Sequence, residues 1–342
     1  YDSCRLIAIN LYNYVKNPFT PKSSFDFDLF SKHVQIAQRL MDDIIDLEIE
    51  KIDGILAKVE RDPEDSIMKS VEKTLWEKVR KTCINGRRTG VGITAEGDML
   101  AALGLRYGSE EGTAKSVEVH KTLAINAYRS SVYLARDRGS FPVFDAEREQ
   151  NNPFIQRLRE ADPALYEEML VHGRRNIALL TIAPTGTTSL MTQTTSGIEP
   201  VFMISYTRRR KVNPNDPEVE VNFIDEVGDH WEEFHVFHHK FLDWLQINGY
   251  DVAKVKKLPA EELDKIIATS PYYKGTANDV DWVQKVKMQG AIQKWVDHSI
   301  SVTINIPNDA TEELVNQLYI KAWEVGCKGV TVYRDGSRSG VL

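Results

Sequence analysis

Short apolar runs separated by long helical patterns limit what this chain can fold into. Ile177-Ala178-Leu179-Leu180-Thr181-Ile182 is continuous and apolar, as a strand buried on both faces must be. Ile300 to Ile306 alternates through Val302, Ile304 and Ile306, and Gly329 to Tyr333 lies between a helical pattern, Glu312 to Val325, and the turn Asp335-Gly336. Leu6 to Leu11 is a further strand-like or buried run. Residues 23–52 place Phe30, Val34, Ala37, Leu40, Met41, Ile44, Ile45 and Leu47 at helical spacing, and 65–83 repeat the pattern with Ile67, Val71, Leu75 and Val79. Gly86, Gly90, Gly92 and Gly97 then break it, and a short helix is predicted at Asp98 to Leu103. A third long helix, about Lys115 to Asp137, carries Val117, Leu123, Ala124, Ala127, Val132 and Ala135 and stops at Gly139. Buried strands separated by helices predict an α/β core.

At 342 residues the chain allows two or three domains or one large α/β architecture. With 42% hydrophobic and 27% charged residues it is an ordinary globular composition, which excludes disorder. The balance of 43 basic against 50 acidic side chains argues against a chain that grips nucleic acid. No apolar run approaches a membrane span and no basic-then-apolar leader is present, so the reading is cytosolic, with no membrane partner. Cys4, Cys83 and Cys327 are too scattered for a disulfide scaffold and lack C-x-x-C spacing, which fits a reducing compartment. The chain begins Tyr1-Asp2-Ser3-Cys4, without Met and directly before a buried run, which does not look like a natural start.

The segment Pro184-Thr185-Gly186-Thr187-Thr188-Ser189 follows the apolar run at 177–182 and precedes Leu190-Met191. Hydroxyls and a glycine at a strand-to-helix junction can offer backbone N–H groups, hydroxyl donors and a helix dipole to a phosphate or diphosphate. An ordinary Thr/Ser-rich helix N-cap explains the same residues. The P-loop pattern and its Lys are absent, which disfavours a kinase or ATPase. His235 and His239 would stand four apart in a helix over HWEEFHVFHHKFLDWL, but with Phe234, Phe237, Phe241, Trp244 and Leu245 as a core stripe a polar helix face is preferred to a metal site. Arg208-Arg209-Arg210-Lys211 is read as a solvated strand end, and Arg87-Arg88 likewise as a solvated pair, while Asn213 to Asp229 is read as a solvated excursion. The cysteines alone point to no chemistry, since a free cysteine is most often a small buried hydrophobe.

Taken in order, Asp2-Ser3-Cys4-Arg5-Leu6, Arg88-Thr89-Gly90-Val91-Gly92, Asn176-Ile177-Ala178 through Pro184–Ser189, Thr195-Ser196-Gly197-Ile198-Glu199-Pro200, Asp297-His298-Ser299-Ile300-Ser301 and Thr331-Val332-Tyr333-Arg334-Asp335-Gly336-Ser337-Arg338 resemble the catalytic chain of ribonucleotide reductase. The resemblance covers nearly the whole sequence and is nearest to the class II branch, which uses adenosylcobalamin. It implies the second half of a ten-stranded α/β barrel built from two half-barrels, with residues 1–342 as one barrel region. It implies that Pro184 to Ser189 holds the phosphates of a ribonucleoside di- or triphosphate, with Ser3 as a further substrate contact. Cys4 would be one of the two cysteines that reduce the ribose and become a disulfide in each turnover, re-reduced by a thioredoxin-like protein or dithiol. In the family a thiyl radical removes the 3′-hydrogen and the 2′-hydroxyl leaves as water. Tyr333 would neighbour the active site, flanked by Val332 and Arg334 rather than by the second tyrosine of a class I radical relay.

The radical-bearing cysteine would precede Cys4 by about a dozen residues in the class II pattern, and the other reducing cysteine would also lie upstream. The effector-binding region, the first half-barrel and the cysteine tail of the family are likewise not in this sequence, so it reads as a C-terminal fragment. Its implied partners are the upstream half of the same enzyme and, when complete, a second copy. The alternatives are a class I large chain that needs a radical-generating subunit, and a non-catalytic nucleotide-binding remnant.

Overall fold

The computed structural model describes residues 2–213, 221 and 223–337. Tyr1, residues 338–342 and part of the 213–229 excursion (214–220 and 222) lie outside the described residues.

The first long helix, Phe27–Arg61, starts where Asp26 accepts the Leu29 N–H at 3.1 Å. Its buried stripe is Phe30, Val34, Ala37, Met41, Ile45, Ile52 and Val59, and it runs nine residues beyond the stretch expected from periodicity. Leu40, Ile44 and Leu47, expected in the stripe, are 49%, 41% and 61% exposed, because the helix packs its other side against the strands and against the helix Glu110–Arg138. The helix Ser66–Gly86 is capped by Asp65 and also departs from expectation: Ile67, Val71 and Leu75 face outward and only its C-terminal end, Cys83 and Gly86, is buried. Glu110–Arg138 buries Val119, Leu123, Ala124, Ala127 and Val132 and ends on Gly139, whose φ of 86° suits a residue without Cβ.

Arg5–Asn10 runs parallel to Thr89–Thr94 in the register Arg5↔Thr89 through Asn10↔Thr94. Val91 bridges Leu180 and Ile182 bridges Ile300, both parallel, and Thr303–Ile306 pairs in parallel with Thr331–Arg334. Five parallel segments therefore follow one another across an open, unclosed array, with helices on one side. The third segment is not the regular strand predicted for 177–182. The N–H groups of Leu179 and Leu180 are both taken at 2.8 Å by the carboxylate of Asp297, which removes two donors from the ladder. Thr89 and Val91 still donate to Ala178 and Leu179 on one side, and Ser301 to Ile182 on the other.

The segment 230–245 is not one helix. His230–Phe237 is a strand antiparallel to Ser205–Lys211, and the helix begins only at His239. The register sets Arg209 opposite Glu233 and Arg210 opposite Glu232, and both pairs are bonded, so cross-strand charge pairing outweighs the helical spacing of the aromatics. His235 and His239 consequently share no helix face. The basic run lies on an exposed strand, as expected for a solvated one. Arg87, by contrast, is buried and ion-paired rather than solvated.

Gly90 and Gly92 allow the second and third segments to close up. A Cβ on Gly92 would stand 2.1 Å from the Thr181 carbonyl oxygen, and one on Gly90 2.3 Å from Cys4 Sγ. Gly92→Ala is expected to destabilise the chain by about 2 kcal/mol or more, because the clash is with backbone. Gly54→Ala, inside the first helix with nothing within 4 Å, should be neutral or stabilising by up to about 1 kcal/mol. Urea unfolding of the two variants checks both, and an equal midpoint would refute the packing argument.

Candidate functional site

Alternation along parallel strands sorts the array into two faces. Ile9, Val91, Ile93, Ile182, Ile304 and Ile306 turn toward the helices and are buried. The other face carries Leu6, 56% exposed, together with Gly90, Thr181, Ser301, Thr303 and Asn305. Cys4 belongs to this open face, since its Sγ and the side chains of Leu6 and Thr181 converge on the place a Gly90 Cβ would occupy.

The Cys4 thiol donates to the Thr89 carbonyl at 3.2 Å. Burial pushes its pKa up to about 11, and the nearest charges partly cancel: Arg88 and Arg5 lower it while Asp297 and Asp2 raise it. Ser3 is exposed, with its Oγ 3.4 Å from Glu48 Oε1, the same carboxylate that Arg5 binds. Tyr333 is half-buried and pairs in register with Asn305, which puts it on the open face but on the edge strand opposite that of Cys4.

The third segment carries Thr181 beside Cys4 and runs directly into Pro184–Ser189, so the loop begins three residues, or roughly 10 Å, along from the thiol. Thr185 adopts a left-handed backbone with φ 54°, and its Oγ1 accepts the Gly197 N–H at 2.7 Å and meets Thr94 Oγ1 at 3.0 Å. The helix Gly186–Thr192 follows, so the N–H groups of Gly186, Thr187 and Thr188 start a helix without intrahelical acceptors. Thr187 and Thr188 are exposed, whereas Ser189 is buried, donates to the Gly186 carbonyl at 2.9 Å and lies 2.6 Å from Ser196 Oγ.

The loop rests on residue 195–200 backbone, and this segment is held by carboxylates that sequence reasoning missed. Buried Asp98 accepts the Thr195 N–H at 2.7 Å and the Tyr272 hydroxyl at 2.8 Å, and lies 2.7 Å from His238 Nε2. Glu199 bonds buried Lys285 at 2.7 Å and the Thr303 N–H at 2.6 Å, joining the segment to the fourth strand. Asp297 and Glu199 lie inside motifs already singled out, so the signal existed without its meaning. Asp98 carried none, because its partners are 97, 140 and 174 residues away.

Residues 1–333 match the ribonucleotide reductase barrel domain. This chain belongs to that family. Over 99% of its length it is 31% identical to the vitamin B12-dependent ribonucleoside-diphosphate reductase of Mycobacterium tuberculosis, covering 40% of that protein. It is 29% identical to the protein of the same name from Thermoplasma acidophilum, again over 99% of this chain and covering 36% of the relative. Its fold is that of the class Id ribonucleotide reductase alpha subunit of Actinobacillus ureae, with a TM-score of 0.60 over 97% of this chain and 50% of that one, at 17% identity. The chain thus spans well under half the length of these two curated relatives, in keeping with a parallel array that is open rather than closed. No described helix is long and apolar enough to cross a membrane.

With a thiol raised to about 11, Cys4 should alkylate slowly with iodoacetamide near pH 8 and accelerate steadily up to about pH 11. Folding that holds this proton also loses stability as pH rises from about 9 toward 11. Peptide-resolved mass spectrometry measures the rate; a profile with its midpoint near pH 8 would contradict the burial argument.

Proposed function

We propose that this chain is the second half of the catalytic barrel of a vitamin B12-dependent ribonucleotide reductase, forming one barrel region over 1–342. The observation that carries the reading is that Cys4 and Pro184–Ser189 stand on the first and third segments of one open parallel array, with only Gly90 of the strand between them separating Cys4 from Thr181, at a spacing comparable with the reach from a ribose to its phosphates.

In this reading Gly186, Thr187 and Thr188 offer their N–H groups, and the two threonines their hydroxyls, to the phosphates of a ribonucleoside di- or triphosphate. Diphosphate is favoured by the names of the relatives. Thr185 and Ser189 are already engaged with Gly197, Thr94, Gly186 and Ser196, so they hold the loop in shape more than they contact substrate. Cys4 is half of the reducing pair, and its partner belongs to the upstream half of the enzyme. Near neutral pH it holds its proton, because burial disfavours the thiolate. Tyr333 lines the same face from the far edge. Ser3 lies at the rim, and its bond toward Glu48 makes it the weakest of the substrate contacts.

Adenosylcobalamin is the radical source of enzymes of this kind, and when bound it supplies the radical by homolysis of its cobalt–carbon bond. A cavity of about 520 Å³ lined by Phe19, Ala101, Leu103, Trp244 and Pro271 shares no residue with Cys4 or the loop. No described residue is assigned to hold the cofactor, and no step of this chain is routed through it. A thioredoxin-like protein or dithiol as reductant, a second copy as dimer partner and the cytoplasm as location complete the reading.

The chain alone is expected to be inactive. Mixed with the upstream half, adenosylcobalamin and dithiol it should form deoxyribonucleotide, and Cys4→Ser should abolish multiple turnover. Turnover by the isolated chain, or by the Cys4→Ser assembly, overturns the proposal. Gly186→Val tests the loop cleanly, since no atom lies within 4 Å of the added Cβ, and should raise the nucleotide KM by about tenfold while leaving the fold intact.

A further inference from the structure

We propose that Arg88 is the positioning residue that activates the Cys4 thiol and that Asp2 restrains it by holding the same guanidinium. Its functional meaning rests on the reading of Cys4 as a reducing cysteine; its physical content does not.

The parallel register starts at Arg5↔Thr89, so the residues one step earlier, Cys4 and Arg88, stand side by side at the rim of the array. The thiol is fastened to the peptide next to Arg88 through its bond to the Thr89 carbonyl. Arg88 Nε donates to Asp2 Oδ2 at 2.7 Å, and Asp2 is two residues from Cys4 on the facing segment. One ion pair therefore spans the two segments that hold the thiol.

Four charged groups face Cys4: Arg88, Arg5, Asp297 and Asp2. His298, whose pKa burial lowers, and Lys328 lie in the same rim. Asp2 is balanced by Arg88 at 2.7 Å and by Arg5 at 3.8 Å, and two more of the four charges are committed elsewhere. Arg5 is buried against Glu48 and Cys83 behind the strand. Asp297 is occupied by the Leu179 and Leu180 N–H groups and the Tyr128 hydroxyl. Arg88 differs, because it is bound by a single carboxylate and is about one-third exposed. It also opposes the effect of burial on the thiol more than any other group does. A rearrangement that draws Asp2 away would leave an uncompensated positive charge beside Cys4, as thiolate exchange with a reductant requires.

The test is the pH–rate profile of Cys4 alkylation by iodoacetamide, in which the thiolate displaces iodide, on the full 342-residue chain. Cys327 in the same molecule serves as the reference. Arg88→Met should slow Cys4 by about threefold or more at pH 8.5 and move its profile upward, Arg88→Lys should recover most of the rate, and Asp2→Asn should accelerate it by a similar factor. Cys327 should not change. Arg88→Lys behaving like Arg88→Met, or Asp2→Asn leaving Cys4 unchanged or slower, overturns the proposal. If Arg88→Met fails to fold, Asp2→Asn decides alone. Should these rates move as expected while Cys4→Ser leaves turnover of the assembled enzyme intact, the tuning stands and the reducing role of Cys4 falls.

Discussion

The carboxylate of Asp42, fully buried in the first long helix, is the constraint on which the array depends. It accepts from Arg87 Nε at 2.8 Å, from Asn176 Nδ2 at 2.9 Å and from Arg175 Nε at 3.3 Å, and Asn176 in turn donates to the Arg87 carbonyl and accepts from Gln38 and Ser131. A buried charge is tolerated only when paired and hydrogen-bonded in this way, and loss of one partner costs about 3–5 kcal/mol. Arg87 leads into the second strand and Asn176 into the third segment. One helix side chain thus sets where two strands begin, and with them the height of Gly90 and Thr181 around the Cys4 thiol.

Arg87 also takes a left-handed backbone, φ 44°, at the end of the helix Ser66–Gly86, a position that glycine usually fills. Its guanidinium bonds to Asp42 and Asp46 outweigh that strain. A comparable exchange occurs at the third segment, where Asp297 replaces two ladder bonds and ties the start of this segment to the start of the next. The rim near Cys4 is therefore assembled by ionic clamps, whereas the far end, with the loop at 184–189, is assembled by hydroxyls and by the clamps at Asp98 and Glu199.

Helices and strand runs were legible where local pattern and burial agree: the stripe Phe30, Val34, Ala37, Met41 and Ile45, the stop at Gly139, and the alternation through Ile304 and Ile306. They misled where an apolar stripe has nothing against it, as at Ile67, Val71 and Leu75, since periodicity reports that a face is apolar without naming what covers it. The stretch 230–237 misled for another reason. Its aromatics recur at helical spacing, but the acidic residues among them find the basic run of Ser205–Lys211 only across a strand pair.

The sequence by itself determined the element types over most of the chain, the family, and the residues with chemistry to offer, because composition, periodicity and ordered motifs are local properties. Tertiary structure alone decided that Cys4, Gly90 and Thr181 meet at one point, that Arg88 faces the thiol, and that Asp42, Asp98, Glu199 and Asp297 act as clamps. Each of these is an encounter between groups far apart in the chain, and what a carboxylate or thiol does is set by the partners and the burial that folding gives it.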